Sequence, residues 1–284
     1  MPDTPIFEIR RRLVAAAGGE QALLSELPFL FRQAIDELID APRTRRLRFS
    51  ELDPNEKAVL GIKVEAALRQ LLNFPRGKLD FRIGAHDVDV KFTSRENWMI
   101  PPEAVGHACI LCQADVTKSL FSFGLAMAAD GSLNPGKNRD GKRSFCKTSK
   151  DNIHWLAYQE PFPVNIWETV DSSDAAQIFL HESGTERVLA LFELFLGKPL
   201  HRSVIQTVGH QLDPMKRIRR NGGARDQLHP RGIVVLSGTQ DGPLLRQLGI
   251  KLGREYVMAF LPRNERDREI ILNKERHASG FVSP

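Results

Sequence analysis

Asp80-Phe81-Arg82-Ile83-Gly84-Ala85-His86-Asp87-Val88-Asp89-Val90-Lys91-Phe92 is the stretch whose reading decides the fold. Two short runs of β-type residues flank Gly84-Ala85-His86, the pattern of a hairpin. Successive side chains on a strand point to opposite faces. Val88, Val90 and Phe92 therefore share one face, and Asp87, Asp89 and Lys91 the other. Burial of the apolar face sets the register, because a slip of one residue would turn all three ionisable groups inward. Two carboxylates and an amine side by side suit either a water-facing sheet edge or a site for divalent metal and phosphate chemistry.

Upstream, Asp53-Pro54-Asn55-Glu56 has the form of a helix start, with an acidic N-cap, proline in the first turn and a glutamate closing a capping box. The helix is expected to run to about Asn73, with Leu60, Val64, Leu68, Leu71 and Leu72 as its apolar arc. Glu65 lies at the edge of that arc. It can point toward the sheet or pair in solvent with Arg69, and periodicity does not choose between the two. Downstream, Trp98-Met99-Ile100-Pro101-Pro102-Glu103 reads as a rigid loop, because consecutive prolines restrict the backbone. Strands are expected over 108–113 and 120–128, making a sheet of at least four strands. The turn-rich segment Asn134-Pro135-Gly136-Lys137-Asn138-Arg139-Asp140-Gly141-Lys142-Arg143 carries cations with amides between them, as a solvated loop or a nucleic-acid contact arm would.

At the N-terminus, Ile6, Ile9, Leu13 and Val14 form one helical stripe, and residues 23–39 another. Arg43, Arg45, Arg46 and Arg48 follow, a run that suits a solvated loop or a phosphate-facing surface. A chain of 284 residues exceeds the usual size of a single core. We place a first domain over 1–160, a linker over 161–174, where prolines and polar residues gather, and a second domain over 175–284. The second contains a capping box at Ser183-Gly184-Thr185-Glu186, a short helix over 201–208, and an Asp213-Pro214 helix start opening the basic stretch Met215-Lys216-Arg217-Ile218-Arg219-Arg220. A buried strand over 233–236 comes next. Helices with short turns followed by β structure are the pattern of a winged helix-turn-helix.

The formal charge of +5 favours an acidic partner only locally, since 35 acidic residues oppose 40 basic ones. No stretch is long and uncharged enough to span a membrane, and the N-terminus has no secretory pattern, so a cytoplasmic location is expected. The odd count of three cysteines argues against a disulfide framework. Cys109 and Cys112 have C-x-x-C spacing but sit in an apolar run with no second ligand pair, which favours a structural role over zinc.

Phosphodiester hydrolysis needs a divalent metal held by carboxylates, an attacking water and stabilisation of phosphate charge. Asp80 and Asp89 are candidate Mg2+ ligands, with the Val90 carbonyl beside them. Lys91 is placed to orient the water or meet the phosphate, and Glu65 to bind a second metal or hold water in the outer shell. Asp80, Asp89 and Lys91 form D-x8-D-x-K, which resembles the PD-(D/E)xK nuclease signature without its proline.

Four blocks sharpen that likeness. Ala85-His86-Asp87-Val88-Asp89-Val90-Lys91-Phe92, then Trp98 to Glu103 with Gly106-His107 after it, then Asn138-Arg139-Asp140, and finally Met215-Lys216-Arg217-Ile218-Arg219-Arg220-Asn221-Gly222-Gly223-Ala224-Arg225 resemble NaeI-type restriction endonucleases, in order and over nearly the whole chain. The resemblance implies an α/β fold: a restriction-endonuclease-like mixed sheet flanked by helices, plus a C-terminal winged helix-turn-helix domain of catabolite-activator type. It implies a homodimer cleaving double-stranded DNA with Mg2+, leaving 5′-phosphate and 3′-hydroxyl ends, and a type IIE habit of binding a second DNA copy as effector. It also implies catalytic roles for Glu65, Asp80, Asp89 and Lys91, while Asp87 has no counterpart.

Read independently, Lys216, Arg217, Arg219 and Arg220 span more than one helix face, so some can meet phosphate while others reach base edges. Arg225, Arg139, Lys142 and Arg143 complete the candidate DNA contacts. Two other classes stay open: a helix-turn-helix regulator that binds without cutting, and a nicking repair nuclease of similar core.

Overall fold

The structure is a computed structural model and describes residues 4–44, 46–210, 218 and 223–278. The chain divides into two compact units, Met1–Leu38 with Phe49–Asn165, and Ile39–Arg48 with Ile166–Pro284. The boundary after Asn165 falls inside the stretch read as a linker. The return of Ile39–Arg48 to the second unit has no signature in composition or periodicity.

In the first unit, α1 (Pro5–Ala16) buries Ile6, Ile9 and Leu13, the stripe expected from spacing. A longer helix, α2 (Glu20–Ile39), follows it. The helix anticipated from Asp53 to Asn73 is two helices, α3 (Pro54–Ala58) and α4 (Leu60–Leu72), parted at Val59. The Glu56 carboxylate accepts the Asp53 backbone N–H at 2.9 Å, as the capping box requires. Asn73 ends α4 in the left-handed region at φ 51°, a conformation asparagine tolerates.

The hairpin is β1 (Phe81–Ile83) and β2 (His86–Thr93). Ile83 pairs with His86, so the turn is Gly84-Ala85 alone, and His86 belongs to the strand rather than to the break. Two more strands, β3 (Ala108–Asp115) and β4 (Leu120–Met127), lie where the apolar runs place them. A fifth, β5 (His154–Pro161), lies outside the expected strands and ends on the first residue of the stretch read as a linker. The order is β1-β2-β3-β4-β5, with β2 and β3 parallel and the other pairs antiparallel.

Alternation divides this sheet into two faces. On one, Phe31 of α2 meets Phe121 of β4 at 5.1 Å between ring centroids, and a Cβ at Gly61 of α4 would meet the Phe92 Cβ at 3.3 Å. Val88 and Val90 point the same way as Phe92 and are buried. On the other, Cys109, Leu111 and Ala126 pack with Trp98, Ile100, Leu133, Phe145 and Ile153. Asp89 and Lys91 pair with Cys109 and Leu111 and so belong to this second face.

The second unit has α5 (Gly184–Leu194), whose Ser183 N-cap hydroxyl accepts the Glu186 N–H at 3.1 Å, and α6 (Arg202–Gly209). Next come α7 (Ala224–Leu228), α8 (Gly242–Leu248) and α9 (Glu265–Ala278). A three-stranded antiparallel sheet joins Tyr256–Phe260 between Leu200–His201 and Val234–Ser237. Val188, Phe192, Ile205, Val208, Leu228 and Val257 share one core. Among the described residues no helix is long and apolar enough to cross a membrane.

Asp87 ties the hairpin to the loop before it, accepting the Lys78 backbone N–H at 2.8 Å and the Arg82 guanidinium at 2.8 Å. A Cβ at Gly77 would lie 2.2 Å from Asp87 Oδ1 and 3.0 Å from the Phe81 carbonyl. Gly77→Ala must therefore push this carboxylate out of its cradle. It is expected to lower the unfolding free energy by about 1–3 kcal/mol, the cost of overpacking, in urea denaturation followed by circular dichroism.

Candidate active site

The site begins where β1 stops. β1 covers β2 only as far as Val88, so the edge of β2 beyond it needs another partner. Asp80, just before β1, supplies one: its Oδ2 accepts the Val90 N–H at 2.7 Å. That bond fixes Asp80 beside Asp89. The Val90 amide thus positions a carboxylate, of which the sequence held no sign.

Asp89 is 4% exposed. Lys91 Nζ stands 2.8 Å from its Oδ2, the distance of an ion pair. The approach lacks hydrogen-bond geometry, and Oδ2 is buried with no hydrogen-bond partner. Burial pushes the Asp89 pKa up to about 6; Lys91 opposes the rise and the Asp80 carboxylate adds to it. Asp87 behaves oppositely. The Lys78 N–H, then the Arg82 guanidinium, hold its carboxyl below the ordinary range. Three ionisable groups that share a strand face in sequence thus have separate fates, with Asp87 spent on the hairpin and Asp89 with Lys91 left as a pair.

Glu65 sits one turn beyond Gly61 and so on the same side of α4. It is half-buried and forms an ion pair with Arg69, whose guanidinium lies 5.7 Å from the centroid of the Phe81 ring. Glu65 is therefore near the open edge of the hairpin, on the helix that packs against the Phe92 face. Among the described residues no three His, Cys, Asp or Glu side chains gather as a metal cluster. Two carboxylates do meet, Asp80 and Asp89, and the buried Asp89 oxygen, with the Lys91 ammonium beside it but no well-formed hydrogen bond, is one that a cation would suit. Cys109 and Cys112 are buried, with burial pushing both thiols up, Cys109 further through the charge of Asp89.

The candidate DNA contacts divide. Arg139 is exposed. Lys142 is half-buried with its Nζ 4.0 Å from Asp140. Arg143 is committed inside its own loop, donating to the carbonyls of Asn134, Asp130 and Leu133 and to the Asp130 carboxylate. Arg225 Nη2 lies 3.6 Å from the buried Asp241 carboxylate. Lys216, Arg217, Arg219 and Arg220 lie outside the described residues.

A five-stranded mixed sheet flanked by helices, with a carboxylate pair and a lysine at one strand edge, is consistent with a nuclease-like fold. The family model described as "Restriction endonuclease NaeI" matches residues 25–255. The chain is also 32% identical over 254 residues to the type II restriction enzyme NaeI of Lentzea aerocolonigenes, covering 84% of this chain and 79% of that protein. It belongs to the NaeI restriction endonuclease family.

The raised Asp89 pKa fixes a sign. Between the ordinary carboxylate value of 3.8 and about 6 the folded chain holds a proton that the unfolded chain has lost, so this group's contribution to stability falls as pH rises. Asp89→Asn removes the penalty. In metal-free protein it is expected to be more stable than wild type by about 1–2 kcal/mol at pH 7.5, against a ceiling of about 3 kcal/mol. The difference should shrink toward pH 4; urea titrations in chelator at both pH values measure it.

Proposed function

We propose that the chain is a type II site-specific restriction endonuclease, of type IIE, that hydrolyses one phosphodiester in each strand of duplex DNA with Mg2+ and leaves 5′-phosphate and 3′-hydroxyl ends. The observation that carries this reading is the buried Asp89 carboxylate with Asp80 beside it and Lys91 Nζ at 2.8 Å. Family membership and the type II relative support it.

Asp80 and Asp89 are the residues that would hold the metal, which supplies Lewis acidity and a water more easily deprotonated than bulk water. Asp80 is oriented by the Val90 N–H and its carboxylate interacts with that of Asp89, so these two side chains would be the ones to hold the cation. Lys91, about a quarter exposed, presents its ammonium at the mouth of the carboxylate pair, where a scissile phosphate would bring negative charge. Glu65, held by Arg69, serves the outer shell or a second cation.

The PD-(D/E)xK class fits the Asp80, Asp89 and Lys91 spacing, and a winged helix-turn-helix fits the helices and small sheet of the second unit. In this reading Arg139, Lys142, Arg225 and the basic stretch with Lys216, Arg217, Arg219 and Arg220 meet DNA. The protein acts as a homodimer in the cytoplasm, and a second DNA copy serves as effector.

Plasmid and genomic DNA incubated with the purified protein should give discrete fragments with Mg2+ and none with chelator, and sequencing the ends maps the site. Asp89→Ala and Lys91→Ala are each expected to lower cleavage by at least about 10²–10³-fold, the scale of losing one charge stabiliser, while binding persists. Near-normal turnover by both would sink the assignment. Specific binding without cutting under any metal would favour a regulator, and single-strand breaks alone a nicking nuclease.

The effector reading has its own measurement. Cleavage of a slow single-site substrate should accelerate when a short duplex carrying the same site is added. A flat response over the whole concentration range would remove type IIE behaviour while leaving the endonuclease intact.

A further inference from the structure

A cavity of about 220 Å³ opens on the sheet, lined among others by Trp98, Trp155, Tyr158, Gln113, Gln159 and Glu96. Trp98 and Trp155 have ring centroids 6.0 Å apart, and Trp155 and Tyr158 5.1 Å. Trp98 is buried and donates its indole N–H to the Cys112 carbonyl at 2.8 Å, which anchors its ring. Tyr158 is 56% exposed, a large ring held against another ring yet facing water.

Local sequence alone would not put these rings together. On a regular strand, residues three apart point to opposite faces. The pairing of β5 with β4 breaks twice: Phe121 faces Glu160 while Phe123 faces Ala157, and Gly124 then faces Trp155. Each break inserts an extra residue into β5, and the one between Trp155 and Ala157 lets Trp155 and Tyr158 meet. The bulge is supported from below. Gln159 adopts the left-handed region at φ 51° and donates its N–H at 3.0 Å to Ser122 Oγ, on a residue 1% exposed. Gly124 makes room above β4, since a Cβ there would come within 2.6 Å of the Trp155 ring. A bulge on an edge strand also discourages sheet-to-sheet pairing, but that purpose requires neither the stacked rings nor the missing side chain at Gly124.

The pocket is close to the ion pair. Gln113 follows Leu111 and Cys109 on the same face of β3, and these two are the cross-strand partners of Lys91 and Asp89. Two residues along the strand and one strand across put the Gln113 and Lys91 backbones roughly 8 Å apart. Pocket and ion pair thus share one face of one sheet.

We propose that this pocket receives a single nucleobase swung out of the duplex that the enzyme cleaves. A base has two recognisable features, flat faces and a Watson–Crick edge, and enzymes that take one from the stack use aromatic faces and polar side chains to hold it. Trp155 and Tyr158 supply the faces. Gln113, Gln159 and Glu96 supply donors and acceptors for the edge. The volume is below the roughly 300–1,000 Å³ of sites for drug-sized ligands, which suits one heterocycle and not a base pair. Extrusion beside the ion pair distorts the strand where it is cut and reads one base by a route other than the major groove. The inference rests on duplex DNA being the substrate, and not on which carboxylates hold metal.

The test uses the full-length protein and duplexes carrying the mapped cleavage site, bound in calcium so that affinity is read without cutting. Tyr158→Ala is expected to weaken binding about ten-fold, the scale of one base–aromatic stack, with Tyr158→Phe within about two-fold of wild type. Each nucleotide of the site is then made abasic in turn. At the captured position wild type and Tyr158→Ala should bind with equal affinity, because the group that Tyr158 holds is gone. The proposal is overturned if Tyr158→Ala binds the intact duplex like wild type, or if its penalty persists at every abasic position. Failure of wild type to bind any duplex would overturn the DNA reading beneath it.

Discussion

Asp89 is a carboxylate kept out of water, 2.8 Å from Lys91 and next to Asp80, and much of the first unit serves to hold it there. A buried charge is tolerated only when it is paired or can take up a cation. Here the pairing is incomplete: burial raises the pKa to about 6, and one oxygen lacks a hydrogen-bond partner. The remaining deficit is what makes the position suited to metal and phosphate chemistry rather than to holding the fold together.

The sheet carries the other side of that balance. Val88, Val90 and Phe92 pack under α4 and fix the register of β2, while parallel pairing with β3 places Cys109 and Leu111 beside Asp89 and Lys91. Apolar side chains therefore flank the charges on the β3 side, and Lys91 keeps about a quarter of its side chain exposed. Because β1 ends at Val88 pairing, that edge has a free amide at Val90, and Asp80 occupies it. A longer β1 would satisfy the amide with a carbonyl and displace the second carboxylate.

Positive charge illustrates the same economy of contacts. Arg143 looks in sequence like its neighbours in a basic loop, yet its donors close the turn around Asp130, Leu133 and Asn134. Arg139 remains exposed beside it. In the second unit, Arg225 lies beside the buried carboxylate of Asp241, whose other oxygen meets Lys274. A cation in a charge run thus has a role only once its acceptors are known, and most of those acceptors are backbone carbonyls or distant residues.

By itself the sequence determined many of the local elements and the strand face that Asp89 and Lys91 share. Alternation in Val88-Asp89-Val90-Lys91, the capping boxes at Asp53 and Ser183, and the apolar runs of β3 and β4 all act over a few residues, and the order of blocks along the chain marked the family. Tertiary structure decided what depends on partners far along the chain. The break at Val59, the fifth strand with its two bulges, the return of Ile39–Arg48 to the second unit, and the separation of Asp87 from Asp89 were not legible, because each is set by packing or by a hydrogen bond from another segment. Alternation could show that Asp87, Asp89 and Lys91 share a face. Only the folded chain, by offering the Lys78 amide and Arg82 to one carboxylate and an incomplete partner to the other, could make them different.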